Sequence, residues 1–374
     1  MKQLIYADNA ATTQLDIDAF EAMKPYLLGE YGNASQPYSF ARTAKKALKN
    51  SREIIAQCIG AQPEEIFFTS GGTESNNWAI KGIAFSDPVK HAFITSVIEH
   101  HAILRPCADI ERMGHPVSYL PVDYTGTVNI ETLAENINSD TRLVSIMTAN
   151  NEIGSIQDIS ALAAIAHSCG AIFHTDAVQA VGHIEIDVNS LGVDMLSASA
   201  HKFNGPKGIG FLYVRKGTPL MPYASGGGQE HNMRAGTENV ASIVGMATAL
   251  KKNVAAMKDT ASHLALLENR LLVGLSNANI RFLRNGSGMH IPGILSLSFP
   301  GYSGEALLHR LDLMGICVST GSACNSQKTQ ISHVLQAIGL NPELAKGTIR
   351  LSFGRNNSES DVDKIVESLQ QILG

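Results

Sequence analysis

A mainly parallel α/β sheet followed by a smaller α+β domain is the architecture this sequence predicts. Three observations lead there. Between about residues 64 and 215, short β-rich runs alternate with helical patterns. The apolar content of those runs is near-continuous, as in strands covered by helices on both faces. The chain has 374 residues, more than one small core serves, so two domains are expected.

The elements follow in order. IFFTS (66–70) precedes the helix-like TESNNWAIKGIA, and HAFITSV (91–97), RLVSIMT (142–148), AIFHTDA (171–177), MLSASA (195–200) and GIGFLYV (208–214) are further strand candidates. A Gly-rich loop, ASGGGQEHNMRAGTEN (224–239), interrupts this rhythm, and a helical stretch runs from about Val244 to Leu275. From 276 to 374, strand candidates ILSLSF, ICVST and TIRLSF mix with amphipathic helices such as SESDVDKIVESLQQIL. The expected division is a large domain over 15–255 and a small one formed by 1–14 with 256–374. There is no internal repeat and no low-complexity tract.

Composition narrows the function classes. Hydrophobic residues make up 44% and charged residues 17%, ordinary values for a soluble enzyme. A net charge of −5 and a pI near 6.2 argue against nucleic acid or an anionic membrane as the main partner. No apolar run approaches the ~18 residues of a membrane-spanning helix. The start, MKQLIYADNAATT, lacks the apolar centre of a secretory signal, so a cytoplasmic protein is expected.

The five cysteines are Cys58, Cys107, Cys169, Cys317 and Cys324. They form no C-x-x-C pair and their number is odd, which suggests neither a zinc knuckle nor a disulfide framework. Cys58 and Cys169 fall near the ends of helical patterns, where a buried, inert thiol is the default. Cys317 reads as part of a buried strand. Cys324, in VSTGSACNSQ (318–327), stands among small and polar residues that cannot pack an apolar shell around it. That cysteine is expected to be reachable.

Three segments carry chemistry. SASAHKFNGPKGIG (197–210) places Lys202 directly after a strand, either as a loop-tip charge or as a Schiff-base lysine for a carbonyl cofactor. FHTDAVQAVG puts Asp176 at the end of a buried strand, where a carboxylate needs a cationic partner. A protonated pyridine nitrogen would supply one. FFTSGGTESNNWA is a strand, a Gly-Gly turn, then Thr73 and Glu74 opening a helix; it suits either an ordinary N-cap or a bound phosphate. It has neither P-loop nor G-x-G-x-x-G spacing.

Together, YADNAATT, FTSGGTESNN, IEHHAIL, ANNEIG, HTDAVQAVG, SASAHKFNGPKGIG, GGGQE…MRAGT, STGSACNS and TIRLSFGR closely resemble the cysteine desulfurases of the NifS/IscS type, from about residue 5 to 370. The resemblance implies the aspartate-aminotransferase-like fold (fold type I) and pyridoxal 5′-phosphate (PLP) as cofactor. It implies Lys202 as the Schiff-base lysine, Asp176 as partner of the ring nitrogen and Gln179 as contact of the ring hydroxyl. His100 would stack on the ring and move protons. Gly72, Thr73, Ser199 and His201 would hold the phosphate, with Thr237 reaching it from the other subunit of a homodimer. Asn151 and Arg350 would bind the substrate carboxylate, and Cys324 would take the substrate sulfur as a persulfide. The implied reaction converts L-cysteine to L-alanine and passes sulfur to an acceptor such as an iron–sulfur scaffold or a tRNA-thiolation protein. A selenocysteine lyase, an aminotransferase or a β-lyase of the same fold is the alternative. A scaffold without turnover would have lost the lysine or the loop cysteine, and both are present. The sequence departs from the family at His231 and Asn232, where Arg-Gly is usual, and at GNASQPYSFAR (32–42), with Tyr38 near an expected histidine.

Overall fold

The alternation read between residues 64 and 215 folds into one seven-stranded sheet. The computed structural model describes residues 4–86, 91–286, 288–320 and 331–374, so Cys324 lies outside the described residues. A short strand, β1 (Ile5–Tyr6), comes first. The large sheet then takes β2 (Ile66–Thr69), β3 (Ala92–Ser96), β4 (Val117–Leu120), β5 (Thr141–Ser145), β6 (Ile172–Asp176), β7 (Met195–Ser199) and β8 (Gly210–Val214). Its order is β2-β8-β7-β6-β5-β3-β4. The pairs from β7 to β4 are all parallel, while β8 runs antiparallel to both β7 and β2.

The continuous apolar runs have a simple cause. Successive strand residues point to opposite faces, and both faces are covered. Phe67, Phe93, Leu143, Met195 and Leu212 join Trp78, Ile83, Ile103 and Ile110 of the helices Gly72–Ala84 and His101–Arg112. Their neighbours Phe68, Ile94, Val144, Leu196 and Phe211 enter the core on the other side, with Ile55, Leu162, Met246 and Leu250. The sequence reading missed β4, the edge strand, because only Leu120 of its four residues is buried.

The helical stretch expected from Val244 to Leu275 is two helices, Val240–Ala255 and Met257–Asn277, separated at Ala256. The break separates two cores. Ile243, Met246 and Leu250 face the large sheet, whereas Leu264, Leu267, Leu271 and Leu275 pack with the C-terminal elements. Those elements are β9 (Leu283–Asn285), β10 (Ile294–Ser298), β11 (Ile316–Cys317), β12 (Thr348–Ser352) and the helix Glu359–Leu373. Antiparallel β10 lies between β12 and β9. Ile5 and Ala7 join this second core, and β1 pairs parallel with β11. The chain's start is thereby fastened to its C-terminal part. Among the described residues, no helix is long and apolar enough to cross a membrane.

One core histidine makes stability depend on pH. His174 in β6 sits between Ser145 of β5 and Ser197 of β7, with each ring nitrogen 2.9 Å from a serine hydroxyl. Burial pushes its pKa down from 6.5 to about 3. Below pH 6.5 the unfolded chain therefore binds a proton that the folded one refuses, and stability falls as pH drops towards 3; above 6.5 this contribution is flat. We expect the unfolding free-energy difference between wild type and His174→Gln to change by roughly 1.4 kcal/mol per pH unit in that window. Guanidinium unfolding at a series of pH values measures it, and a pH-independent difference would contradict it.

Candidate active site

The C-terminal ends of the parallel strands gather the chemistry, as in other open α/β sheets. His100 follows β3, Asn151 follows β5, Asp176 ends β6, and Ser199, His201 and Lys202 end and follow β7. Thr69 and Ser199 both pair with Gly210, so the turn after β2 reaches the same edge. That turn carries Gly71 and Gly72 into the thirteen-residue helix Gly72–Ala84, and no side chain caps its first N–H groups. Gly71 has φ 146°, a backbone conformation that only glycine adopts without strain. A Cβ on Gly72 would lie 2.5 Å from Val178 Cγ2, and one on Gly71 would face Ser199 Oγ at 3.4 Å. The close approach of Val178 to this turn requires a glycine at position 72. Thr73, next on the helix, is exposed.

Asp176 forms the floor, only 5% exposed. Its Oδ1 accepts the Val178 N–H at 3.0 Å and its Oδ2 accepts Asn76 Nδ2 at 2.6 Å. The other polar atom of Asn76, Oδ1, is buried without a hydrogen-bond partner among the described residues. Sequence reasoning missed Asn76. Its spacing of four residues from Gly72 on one helix, which puts both on the same face, was the available signal.

A strap near the N-terminus meets the residues that follow β6 and β7. The Lys202 ammonium donates to the carbonyls of Ala10 and Ala11 at 2.6 and 2.8 Å, and Gln179 Nε2 donates to the same Ala10 carbonyl at 2.9 Å. Thr12 Oγ1 lies 3.2 Å from His201 Nδ1. The strap ends at Asp16, which caps the helix Ile17–Leu28 and pairs with Lys252 and Arg355. Burial, followed by the charges of Lys202 and Lys207, pushes His201 down to about 4. From beneath, His183 Nε2 donates to the Lys202 carbonyl at 2.9 Å. These strap contacts span nearly two hundred residues of chain, which is why no local pattern announces them.

His100 is the N-cap of the helix His101–Arg112, where its Nδ1 accepts the Ala102 N–H at 3.1 Å. The neutral ring therefore carries its proton on Nε2. Burial holds its pKa below 6.5, with Asp176 pulling it up and Lys202 pushing it down, so all three groups share one electrostatic environment. The preceding Glu99 is fully buried and accepts from Ser96 Oγ at 2.6 Å and Met147 N–H at 2.9 Å. Burial pushes its pKa up to about 8, which favours its neutral form. Sequence reasoning did not single it out.

Arg350, on β12, is brought to the site from the C-terminal core. Its Nη1 donates to the Asn151 carbonyl at 2.8 Å and its Nη2 to Asp8 Oδ1 at 2.6 Å. Thr237 is the exception: it is exposed and makes no described contact with the other site residues. The loop that carries it is clamped nearby. Glu230 pairs with Arg52 at 2.6 Å and accepts the Phe68 N–H at 2.8 Å, and Arg234 pairs with Glu74 at 2.8 Å. Glu230, His231 and Asn232 all have positive φ, of 44°, 57° and 65°. Asn232→Gly is expected to raise unfolding stability by about 0.5 to 1 kcal/mol, because a left-handed residue with a Cβ is strained. Chemical denaturation checks this; an unchanged or lower midpoint would count against strain there.

Three of the described cysteines make poor nucleophiles. Burial raises the Cys107 thiol to about 12 and the Cys58 thiol to about 11, and it also raises Cys317. Contrary to the sequence reading, Cys58, Cys169 and Cys317 are half-buried rather than fully covered. The segment with Cys324 is bracketed by anchored residues. Ser319 exchanges backbone hydrogen bonds of 3.0 and 2.6 Å with Arg350, and Ser332 Oγ donates to Glu152 at 2.5 Å.

The sequence model for the class-V aminotransferases matches residues 5–365. A curated cysteine desulfurase IscS of Dictyoglomus turgidum is 47% identical over 376 aligned positions, covering 100% of this chain and 95% of that protein. The chain belongs to the cysteine desulfurases of the class-V aminotransferase family. A solved NifS-like protein shares 38% identity and superposes with a TM-score of 0.94 over 99% of each chain. A structure described as SspA in complex with cysteine shares 36% identity, with a TM-score of 0.84 over 95% of this chain and 100% of its own. The fold is therefore PLP fold type I, and the cofactor of this desulfurase family is PLP. The residues fit that group. A helix start hollowed by Gly71 and Gly72 suits its phosphate, and the buried Asp176 carboxylate suits a protonated ring nitrogen.

Proposed function

We propose that this chain removes sulfur from L-cysteine, releases L-alanine and keeps the sulfur on Cys324 as a persulfide. The observation that carries the reading is the meeting of Lys202, Gln179 and the Ala10 carbonyl beside the buried Asp176, in a chain aligned end to end with cysteine desulfurases.

PLP, when bound, supplies an electron sink through its protonated ring nitrogen. Asp176, steadied by Asn76 and the Val178 N–H, holds the negative charge that keeps that nitrogen protonated. Gly72, Thr73, Ser199 and His201 would hold the phosphate, Thr237 would reach it from the second subunit of a homodimer, and Gln179 would contact the ring hydroxyl. His100 would lie against the ring, with its own proton on Nε2 because Nδ1 accepts the Ala102 N–H. Lys202 accepts and returns a proton at Nζ, where the Ala10 and Ala11 carbonyls stabilise the ammonium form. Arg350 and Asn151 take the substrate carboxylate. The Cys324 thiolate forms an S–S bond to the substrate sulfur as the C–S bond breaks. The electron pair leaves on the carbon fragment, which is protonated to L-alanine.

Residues 15–255 would form the cofactor domain, and 1–14 with 256–374 the smaller one. The persulfide would pass to an iron–sulfur scaffold or a tRNA-thiolation protein in the cytoplasm. With L-cysteine and dithiothreitol, the holoenzyme is expected to release alanine and sulfide in equal amounts. Pyruvate, or a keto acid without sulfide, would instead support the β-lyase or aminotransferase reading.

A further inference from the structure

Arg350 is 5% exposed, and its guanidinium is only partly used. Nη1 is bound to the Asn151 carbonyl and Nη2 to Asp8, while Nε is buried without a hydrogen-bond partner among the described residues. A buried donor left unmade is unfavourable, and an incoming carboxylate that also bonds a neighbouring Nη would satisfy it. Asp8 is held in place from its own side. It bridges to Ser352 on the arginine's strand, and the Asn9 side chain donates to the Ser352 carbonyl at 3.0 Å.

We propose that Asp8 is a positioning residue for the amino-acid carboxylate, fixing the Arg350 guanidinium by one corner and offsetting part of its charge. The proposal rests on the desulfurase reading and on Arg350 as the carboxylate site. Its logic is electrostatic. A guanidinium already paired with a carboxylate 2.6 Å away attracts a second anion far less than a bare one does. L-Cysteine and L-alanine carry the same carboxylate, so the stronger grip of an unopposed Arg350 would tighten product as well as substrate and slow product release. Asp8 gives orientation without that excess grip.

Two substitutions separate the two effects. Asp8→Asn keeps an acceptor of the same shape and removes the charge; Asp8→Ala removes both. We expect Asp8→Asn to bind L-alanine roughly fivefold more tightly, read from the visible absorption of the holoenzyme, and to lower both KM for L-cysteine and kcat. Asp8→Ala is expected to bind L-alanine roughly tenfold more weakly, because the guanidinium loses its anchor. Cysteamine, which lacks the carboxylate, should bind all three proteins within about twofold, since it makes no contact there. Equal weakening in both variants, no change in either, or matching changes with cysteamine would overturn the proposal. So would Arg350→Gln binding L-alanine as tightly as wild type does. A failure of the desulfurase reading looks different: wild type would give no alanine from L-cysteine, whatever the binding titrations show.

Discussion

Cys324→Ala is expected to stop sulfide release from L-cysteine, a fall of at least about a thousandfold, while the cofactor stays bound and coloured. The size of the effect follows in part from three of the other thiols. Those of Cys58, Cys107 and Cys317 are all held protonated by burial, and a protonated thiol is a poor nucleophile. None of them can take over. The cofactor should be indifferent to the change, because every group proposed to hold it lies on the large sheet's edge, the turn after β2 or the Gly-rich loop. Sulfide production and absorbance, measured on one preparation, give both halves of the result. Normal turnover by the variant would remove Cys324 from the mechanism.

Lys202→Ala is expected to lower alanine formation by at least about a thousandfold. Here the loss is twofold in kind. No amine remains to bind the cofactor covalently, and no group remains to move a proton while resting on the Ala10 and Ala11 carbonyls. Lys202→Arg separates chemistry from architecture, since a guanidinium can still donate to those carbonyls but does not deprotonate at working pH. Both variants should be inactive, whereas only the alanine variant takes the donor from the Ala11 carbonyl and leaves the Ala10 carbonyl to Gln179 alone. Steady-state assays and thermal unfolding together distinguish the two. Activity retained in Lys202→Arg would contradict the assigned role.

The large sheet was legible because its strands are buried on both faces, and such strands announce themselves as unbroken apolar runs. β4 was not, because an edge strand with one buried residue carries little pattern. The split at Ala256 was hidden for a related reason: both helices are amphipathic, and only their partners show that they serve different cores. At the site, Lys202 and Asp176 stood out as charged residues at the ends of apolar strands. Asp8, Asn76 and Glu99 act through contacts with residues distant in sequence, such as Asp8 with Arg350, and no local spacing encodes those. Thr237 remains apart from the rest because the proposed dimer, not this chain alone, would bring it to a cofactor.

The most direct test of the central claim uses one equivalent of L-cysteine, no reductant, and mass analysis of the peptides. One added sulfur atom on the peptide containing Cys324, with one L-alanine released per sulfur retained, is the predicted result. Alanine formed while that peptide stays unmodified, or sulfur found on any other cysteine, would contradict it.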